Sequence, residues 1–242
     1  MIFEGNISVK SILENNCRLI DELLLLDGKR SKDIGYIVAL ARKRNIPITY
    51  LTEEQFNNLG IGKTSGGVCL KAQTRTDFNC DPPSNLMCLL EGIEDPFNLG
   101  YCLRTLYSFG CTCVILPNRD LSKGEVQLLK SSAGAYEKMD IVFANDCANY
   151  CNQMKTNGYR IVAAYRNNAT ACTNYSWHQK TLLVIGGEMR GISSKVRNEV
   201  DDNVYIPYAL DFKNALNAAS ATAVLAYSYY QQQGEGNDRI IK

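Results

Sequence analysis

A few residues of this chain are of types, and at spacings, that could act together on a ligand. Asn98 and Arg104 lie on one stretch, Asn98-Leu-Gly-Tyr-Cys-Leu-Arg104, and Glu188 follows a glycine pair in Gly186-Gly187-Glu188. A guanidinium offers a planar fork of donors suited to phosphate or carboxylate, while amide and carboxylate groups orient hydroxyls. Glycines let a backbone come close to whatever lies beside them. At about 100° per residue, Arg104 falls opposite Leu99, Leu103 and Leu106, so it is not directed at the apolar side of its segment. It is free to meet a ligand, or does no more than solvate a helix face. Glu188 has the same double reading, as a ligand-facing carboxylate or as a cap for the segment Ser193 to Glu199.

Other familiar chemistries find little support. Cys111-x-Cys113 and Cys147-x3-Cys151 lack the paired C-x2-C spacing of structural zinc sites, and His178, the single histidine, has no thiol nearby in sequence. No metal is therefore expected. A Ser-His-Asp device would have to use His178 in a polar stretch, and neither a G-x-S-x-G elbow nor a P-loop or G-x-G-x-x-G fingerprint occurs.

The elements that must position these residues read as alternating strands and helices. Leu86 to Glu91 is a short apolar run of the kind covered on both faces, and Asp95-Pro96 breaks it. Asn98 is a candidate N-cap for a helix that reaches Gly110, and a strand follows over Thr112 to Leu116. This is a βαβ unit, in which ligands are met at the carboxyl ends of the strands. Thr181 to Ile185 is the clearest strand of the second half and runs into Gly186 and Gly187, a place where backbone approaches a ligand. Small residues in Ser131-Ser-Ala-Gly-Ala135 permit close approach to a ligand or to another element. A helix is expected from Asn214 to Gln231, with small residues that allow tight packing.

Residues 1 to 72 read as a small α/β domain, with a capping box at Thr52-Glu-Glu-Gln55 and a last strand near Gly66 to Ala72. Its basic residues gather as Lys29, Arg30, Lys32 and as Arg42, Lys43, Arg44, which suits phosphate contacts or the solvation of helix ends. A polar stretch, 73 to 84, with Asp81-Pro82-Pro83, reads as a linker, and 85 to 242 as the second domain. The net charge of +1 excludes a strong overall footprint for nucleic acid, so such binding must be local. Ten cysteines without a signal-like start point to a reducing, cytoplasmic setting in which thiols act as small hydrophobes. No run of 18 apolar residues predicts a membrane span.

Four pieces now coincide in order: Asp95-Pro-Phe-Asn-Leu-Gly-Tyr-Cys-Leu-Arg104, Ser132-Ala-Gly-Ala135, Ile185-Gly-Gly-Glu-Met-Arg-Gly-Ile192, and Ile206-Pro207 followed by Leu216-Asn217. Together the segment resembles the SpoU (TrmH-type) RNA ribose 2′-O-methyltransferases of the SPOUT superfamily. The first 72 residues are similar to the family's ribosomal-protein-like RNA-binding domain. The resemblance implies an α/β methyltransferase domain with a carboxyl-terminal trefoil knot around a parallel sheet, acting as a homodimer on RNA. It implies S-adenosylmethionine held at Gly186, Gly187, Ile206 and Leu216, with Asn98, Arg104, Glu188 and Asn217 as catalytic motif residues and the basic clusters binding RNA. Ribosomal RNA is expected ahead of transfer RNA; a base methyltransferase or a non-catalytic RNA-binding protein of the superfamily are the alternatives. One departure stands out: Ala215-Leu216-Asn217 occupies the place of the family's Ser-Leu-Asn. It implies either an active subfamily that supports Arg104 by other means or a protein with weakened transfer, and retention of the four motif residues favours activity.

Overall fold

The computed structural model describes residues 1–60, 65–76 and 84–233. Asp81-Pro82-Pro83, expected to stiffen a linker, and the last residues of the chain lie outside the described part. The chain divides into two compact units. One gathers Met1–Phe78 with Asp120–Lys138, and the other Asn79–Arg119 with Met139–Lys242. The stretch 120–138 therefore belongs with the N-terminal residues, which a single cut between 72 and 85 does not capture.

The first unit holds a four-stranded sheet of β1 (Ile2–Glu4), β2 (Ile20–Leu26), β3 (Ile48–Leu51) and β4 (Val68–Ala72), in the order β1-β4-β2-β3. Strands β2 and β3 are parallel and the other pairs antiparallel. Helices α1 (Asn6–Glu14) and α2 (Lys32–Lys43) accompany it, with Ser31 capping α2 through a bond from Ile34 N. Both bonds of the capping box at Thr52 and Gln55 form, and they start the short α3 (Glu53–Asn57). Strand β1 was not legible because three residues carry too little pattern.

Residues 120–138, with α5 (Glu125–Ser131) and α6 (Ala135–Lys138), join this unit through a buried ionic cluster of side chains. Arg18 donates to Glu125 at 3.1 Å and also pairs with Glu137, all three side chains being essentially excluded from water. Burial alone lowers the Arg18 pKa, but Glu137 and Glu125 more than reverse this, so the guanidinium stays charged. One small residue of the run 131–135 has its explanation here. Gly134 has φ +83, and a Cβ on it would stand 2.7 Å from the Ser11 side chain in α1. At Gly134 the close approach is to another element, α1.

The second unit is a seven-stranded parallel sheet: β5 (Leu86–Glu91), β6 (Cys113–Pro117), β7 (Asp140–Ala144), β8 (Arg160–Ala164), β9 (Ala169–Ala171), β10 (Thr181–Gly186) and β11 (Asp202–Tyr205). Their order is β7-β6-β5-β10-β8-β11-β9. Leu86 to Leu90 are all buried because helices cover both faces, as a parallel sheet requires. On one face Met87 and Leu89 pack with Cys151 and Met154 of α7 (Cys147–Thr156) and Val196 of α8 (Ser194–Arg197). On the other, α4 (Pro96–Ser108) packs against α9 (Ala218–Gln233). Helix α9 starts later than the expected Asn214. Its small or apolar Ala218, Thr222, Leu225, Ala226 and Tyr229 form the buried stripe, and the Thr222 hydroxyl reaches Cys102 Sγ at 3.6 Å.

The cysteines behave as small hydrophobes. Cys88, Cys102 and Cys111 are fully buried, and burial pushes the Cys102 thiol up to about 11 and that of Cys111 to about 12. Among the described residues no helix is long and apolar enough to cross a membrane.

Candidate active site

From β5 the chain moves outward through β6 and β7 on one side, whereas β10 is its neighbour on the other, so the order reverses between β5 and β10. In open α/β sheets the crevice at the carboxyl ends of such strands is where ligands bind. The pair is in register to its end, Gly186 opposite Glu91. The loops that leave these two strands, with Pro117 at the end of β6, line a cavity of about 530 Å³.

Asp95 accepts from Asn98 N at 2.8 Å, with Pro96 in the first turn, so Asp95 and not Asn98 is the N-cap of α4. That frees the Asn98 side chain. Its Nδ2 donates to Glu188 Oε1 at 3.4 Å, bringing two of the motif residues to one point at the cavity wall. Glu188 does not cap the following helix. Ser193 takes that position, its Oγ accepting from Val196 N at 3.3 Å, while Ser193 N donates to the Glu91 carboxylate at 2.9 Å. Glu188 is left exposed and available to a ligand.

The loop after β10 is shaped by its glycines. Gly187 N donates to Glu91 O at 2.7 Å and Gly191 N to Gly187 O at 3.0 Å. A Cβ on Gly187 would lie 2.0 Å from Gly92 O, and one on Gly186 would lie 2.5 Å from Gly191 C. What approaches these glycines is the chain's own backbone, whose folding over the strand ends forms the site. Glu91, Glu94, Asp95 and Glu188 give the cavity a strongly anionic wall, completed by Met189, Arg190 and Ala218. Of the acids in this wall the site reading names only Glu188; the sequence signal for the others is the run Glu91, Glu94, Asp95 at a strand end.

The remaining predicted residues are placed differently. Arg104 is exposed on α4, with Leu99, Cys102, Leu103 and Leu106 buried on the opposite side. Among the described residues its guanidinium has no hydrogen-bond or ion-pair partner, and it is absent from the cavity wall. Asn217 caps α9, its Oδ1 accepting from Ser220 N at 2.8 Å. Ile206, just past β11, is half-buried, and Leu216 is 37 % exposed; neither lines the cavity, although Ala218 does.

In the first unit Lys29, Arg30 and Lys32 stand exposed at the start of α2, with Arg42 and Lys43 exposed at its end. Arg44 is otherwise engaged. Its Nη1 donates to the carbonyls of Ile12, Leu13 and Asn15 at 2.9–3.2 Å and its Nη2 to Asn16, closing the carboxyl end of α1.

Comparison with known proteins decides the family. Residues 85–227 match the model of the SpoU rRNA Methylase family, and residues 2–77 match an RNA 2′-O ribose methyltransferase substrate-binding model. The chain belongs to the SpoU family. It is 26% identical over 246 residues to a Staphylococcus haemolyticus protein assigned to the TrmH family of tRNA/rRNA methyltransferases, covering 98% of each chain. Among solved structures it is similar to the SpoU methyltransferase AviRb from Streptomyces viridochromogenes in complex with AdoMet, with a TM-score of 0.79, 19% identity, and 98% and 91% of the two chains covered. An RNA 2′-O ribose methyltransferase also superimposes at a TM-score of 0.79, with 18% identity and coverage of 96% and 88%. The SpoU model thus spans the β5-to-α9 region that carries the cavity, and this is an RNA methyltransferase of the TrmH/SpoU type.

Proposed function

We propose that this SpoU-family chain methylates a ribose 2′-hydroxyl of structured RNA, ribosomal RNA before transfer RNA, with S-adenosylmethionine as donor. The observation that carries the reading is the junction of Asn98 and Glu188 over the anionic cavity at the point where the strand order reverses. The cavity suits the donor: about 530 Å³ lies inside the range of roughly 300–1,000 Å³ typical of small-molecule sites, and carboxylates favour a sulfonium cation. When bound, the donor supplies an electrophilic methyl group on a leaving thioether. Glu188 and the loop 186–191 would hold it, with Ile206 and Leu216 as neighbouring wall.

What the chain itself must do is place the alcohol and let its proton go. A guanidinium is a poor base, since its pKa lies above about 12. Arg104 therefore acts as a fork that fixes the nucleotide, and the proton passes to a phosphate oxygen or water. The carboxylates of the wall outnumber its arginine, Arg190, so the cavity disfavours phosphate unless a further cation is brought to it. Phe97, Tyr101, Arg104 and Ser108 share the outer face of α4, beside the exposed Val224 and Tyr227 of α9. An arginine set in such an apolar face fits a homodimer in which Arg104 serves the partner's cavity. Lys29, Arg30 and Lys32 would hold RNA; placed at the amino end of α2 they oppose the helix dipole, so dipole complementation does not account for them. The same reading places the protein in the cytoplasm and keeps the expected knot in the β10–α9 region.

The test is transfer of labelled methyl from S-adenosylmethionine into separately supplied, unmodified ribosomal and transfer RNA. Label resistant to alkaline cleavage at its nucleotide, entering one pool and lost in Arg104→Ala, is the expected result. Label that leaves the nucleotide alkali-sensitive would move the reaction to a base. Mixing Arg104→Ala with Glu188→Ala protein should restore part of the activity if the arginine acts across the dimer.

A further inference from the structure

The loop between β11 and α9 carries two of the residues read as cofactor wall, Ile206 and Leu216, and it has very little core of its own. Residues 209–217 are all exposed, and Ala215 has no side-chain group with which to hydrogen-bond. Yet the loop is tied at three points. Arg166, just past β8, donates from Nη1 to Lys213 O at 3.0 Å and from Nη2 to Asn214 O at 3.1 Å. The same Nη2 lies 3.3 Å from Tyr208 Oη, and that oxygen accepts from Leu216 N at 2.9 Å. The guanidinium also lies over the Tyr208 ring, 5.3 Å from its centroid, and the Phe212 ring packs against the same tyrosine at 6.3 Å between centroids.

We propose that Arg166 and Tyr208 form a clasp that sets the conformation of the 206–217 loop and thereby its fit to the adenosyl donor; they are positioning residues, not catalytic ones. The chemistry is specific to these two side chains. Both lone pairs of the phenol oxygen are engaged, one by a backbone amide of the loop and one by the guanidinium, so phenylalanine keeps the ring contacts and loses both bonds. A guanidinium can address two carbonyls and a hydroxyl from one plane, which a lysine ammonium on the same stem does poorly. Among the described residues the ties of 209–216 to anything outside the loop come from Arg166. An exposed nine-residue stretch without them would sample many conformations, and ordering it would fall to the ligand, weakening binding by the fraction of time the loop is competent. Tyr208 closes the loop across its base, from just after Ile206 to Leu216, and so fixes the two wall residues relative to each other.

The clasp's role rests on the cofactor reading of the site, and the experiment separates the two. Amide hydrogen exchange of the ligand-free protein over 206–217 is compared for wild type, Tyr208→Phe, Arg166→Ala and Arg166→Lys, and S-adenosylmethionine affinity is measured for each by calorimetry. Faster exchange in the loop, with the dissociation constant raised about tenfold in Tyr208→Phe and Arg166→Ala and partly restored in Arg166→Lys, is the expected result. Turnover at saturating donor should stay within about twofold of wild type and RNA affinity should not change, because neither side chain is placed to touch the reacting groups. Unchanged exchange, or a loosened loop with unchanged donor affinity, would overturn the clasp while leaving the methyltransferase reading intact. A wild-type protein that does not bind the donor would overturn the cofactor reading itself, and the exchange data would still report on the clasp.

Discussion

The side-chain amide of Asn98, in the first turn of α4, donates to Glu188 on the loop after β10 at 3.4 Å, joining two residues 90 apart in sequence across the mouth of the cavity. The bond is long and exposed, so in the free protein it contributes little to stability. Its value lies in holding a carboxylate where a cation is expected. Glu188→Gln keeps the shape and an acceptor but removes the charge. Donor affinity should fall about tenfold, more steeply at low salt, while Asn98→Ala should lose mainly turnover, by about tenfold to a hundredfold. Calorimetry and steady-state kinetics at two ionic strengths separate the two outcomes.

Gly187 and Gly35 make opposite predictions for the same substitution. A methyl at Gly187 meets the Gly92 carbonyl oxygen at 2.0 Å, backbone against backbone, where no side chain can turn aside. Gly187→Ala should cost about 3 kcal/mol or more and displace the loop 187–193. Gly35 lies within α2 with nothing inside 4 Å of its would-be Cβ, so Gly35→Ala should stabilise by about 0.5–1 kcal/mol. Denaturant unfolding of both variants, monitored separately from donor binding, checks the pair.

Much of this was legible where the signal is local. The Thr52 capping box, the apolar runs of β5 and β10, and the outward position of Arg104 follow from spacing over a few residues. What failed was the helix start: Asn98 reads as the N-cap and Asp95-Pro96 only as a break, whereas the backbone gives the cap to Asp95, with Pro96 in the first turn. Of the two readings left open for Glu188, the cap is the one set aside, since Ser193 holds that position. Pairings of distant parts of the chain were out of reach. Nothing near Gly134 tells of Ser11, nothing near Gly187 tells of Gly92, and Arg166 is far from the carbonyls of 213 and 214 in sequence. The strand-end reading places Gly186 and Gly187 where backbone would meet a ligand, whereas the physical demand for glycine there comes from the chain's own backbone at Gly92 and Gly191.

Asp202 should make the second unit sensitive to acid. Arg160 grips it in a bidentate pair, Nε at 2.7 Å and Nη2 at 3.0 Å, and the Tyr175 hydroxyl donates to it at 2.8 Å. The hydrogen bond from Arg160, with that from Tyr175, holds the carboxyl pKa below its ordinary value despite partial burial. A depressed folded pKa means the unfolded chain binds the proton first. The stabilisation is full above the unfolded value, about 3.9, and is lost as pH falls through the lower folded value. Both side chains are partly exposed, so the contribution near neutrality is about 1 kcal/mol or less. Thermal melts of Asp202→Asn should show a modest loss at pH 7 and a flatter decline than wild type between about pH 4 and 2.

The two ends of α2 carry charges with different work to do. Arg44 holds the last carbonyls of α1, whereas Lys29, Arg30 and Lys32 are exposed, and α2 of 12 residues, about 18 Å long, separates them from Arg42 and Lys43. Replacing Lys29, Arg30 and Lys32 by alanine should leave the melting temperature nearly unchanged and reduce the slope of log affinity against log salt for RNA by about 2 to 3, roughly one unit for each phosphate that is no longer neutralised. Arg44→Ala should do the reverse. Removal leaves carbonyls of Ile12, Leu13 and Asn15 without this donor, so stability should drop by about 1–2 kcal/mol while the salt slope stays that of the wild type. Filter binding over a range of salt, beside thermal melts, reads both quantities. A salt slope unaltered in the triple variant would remove this surface from the RNA-binding face, even if methyl transfer itself were confirmed.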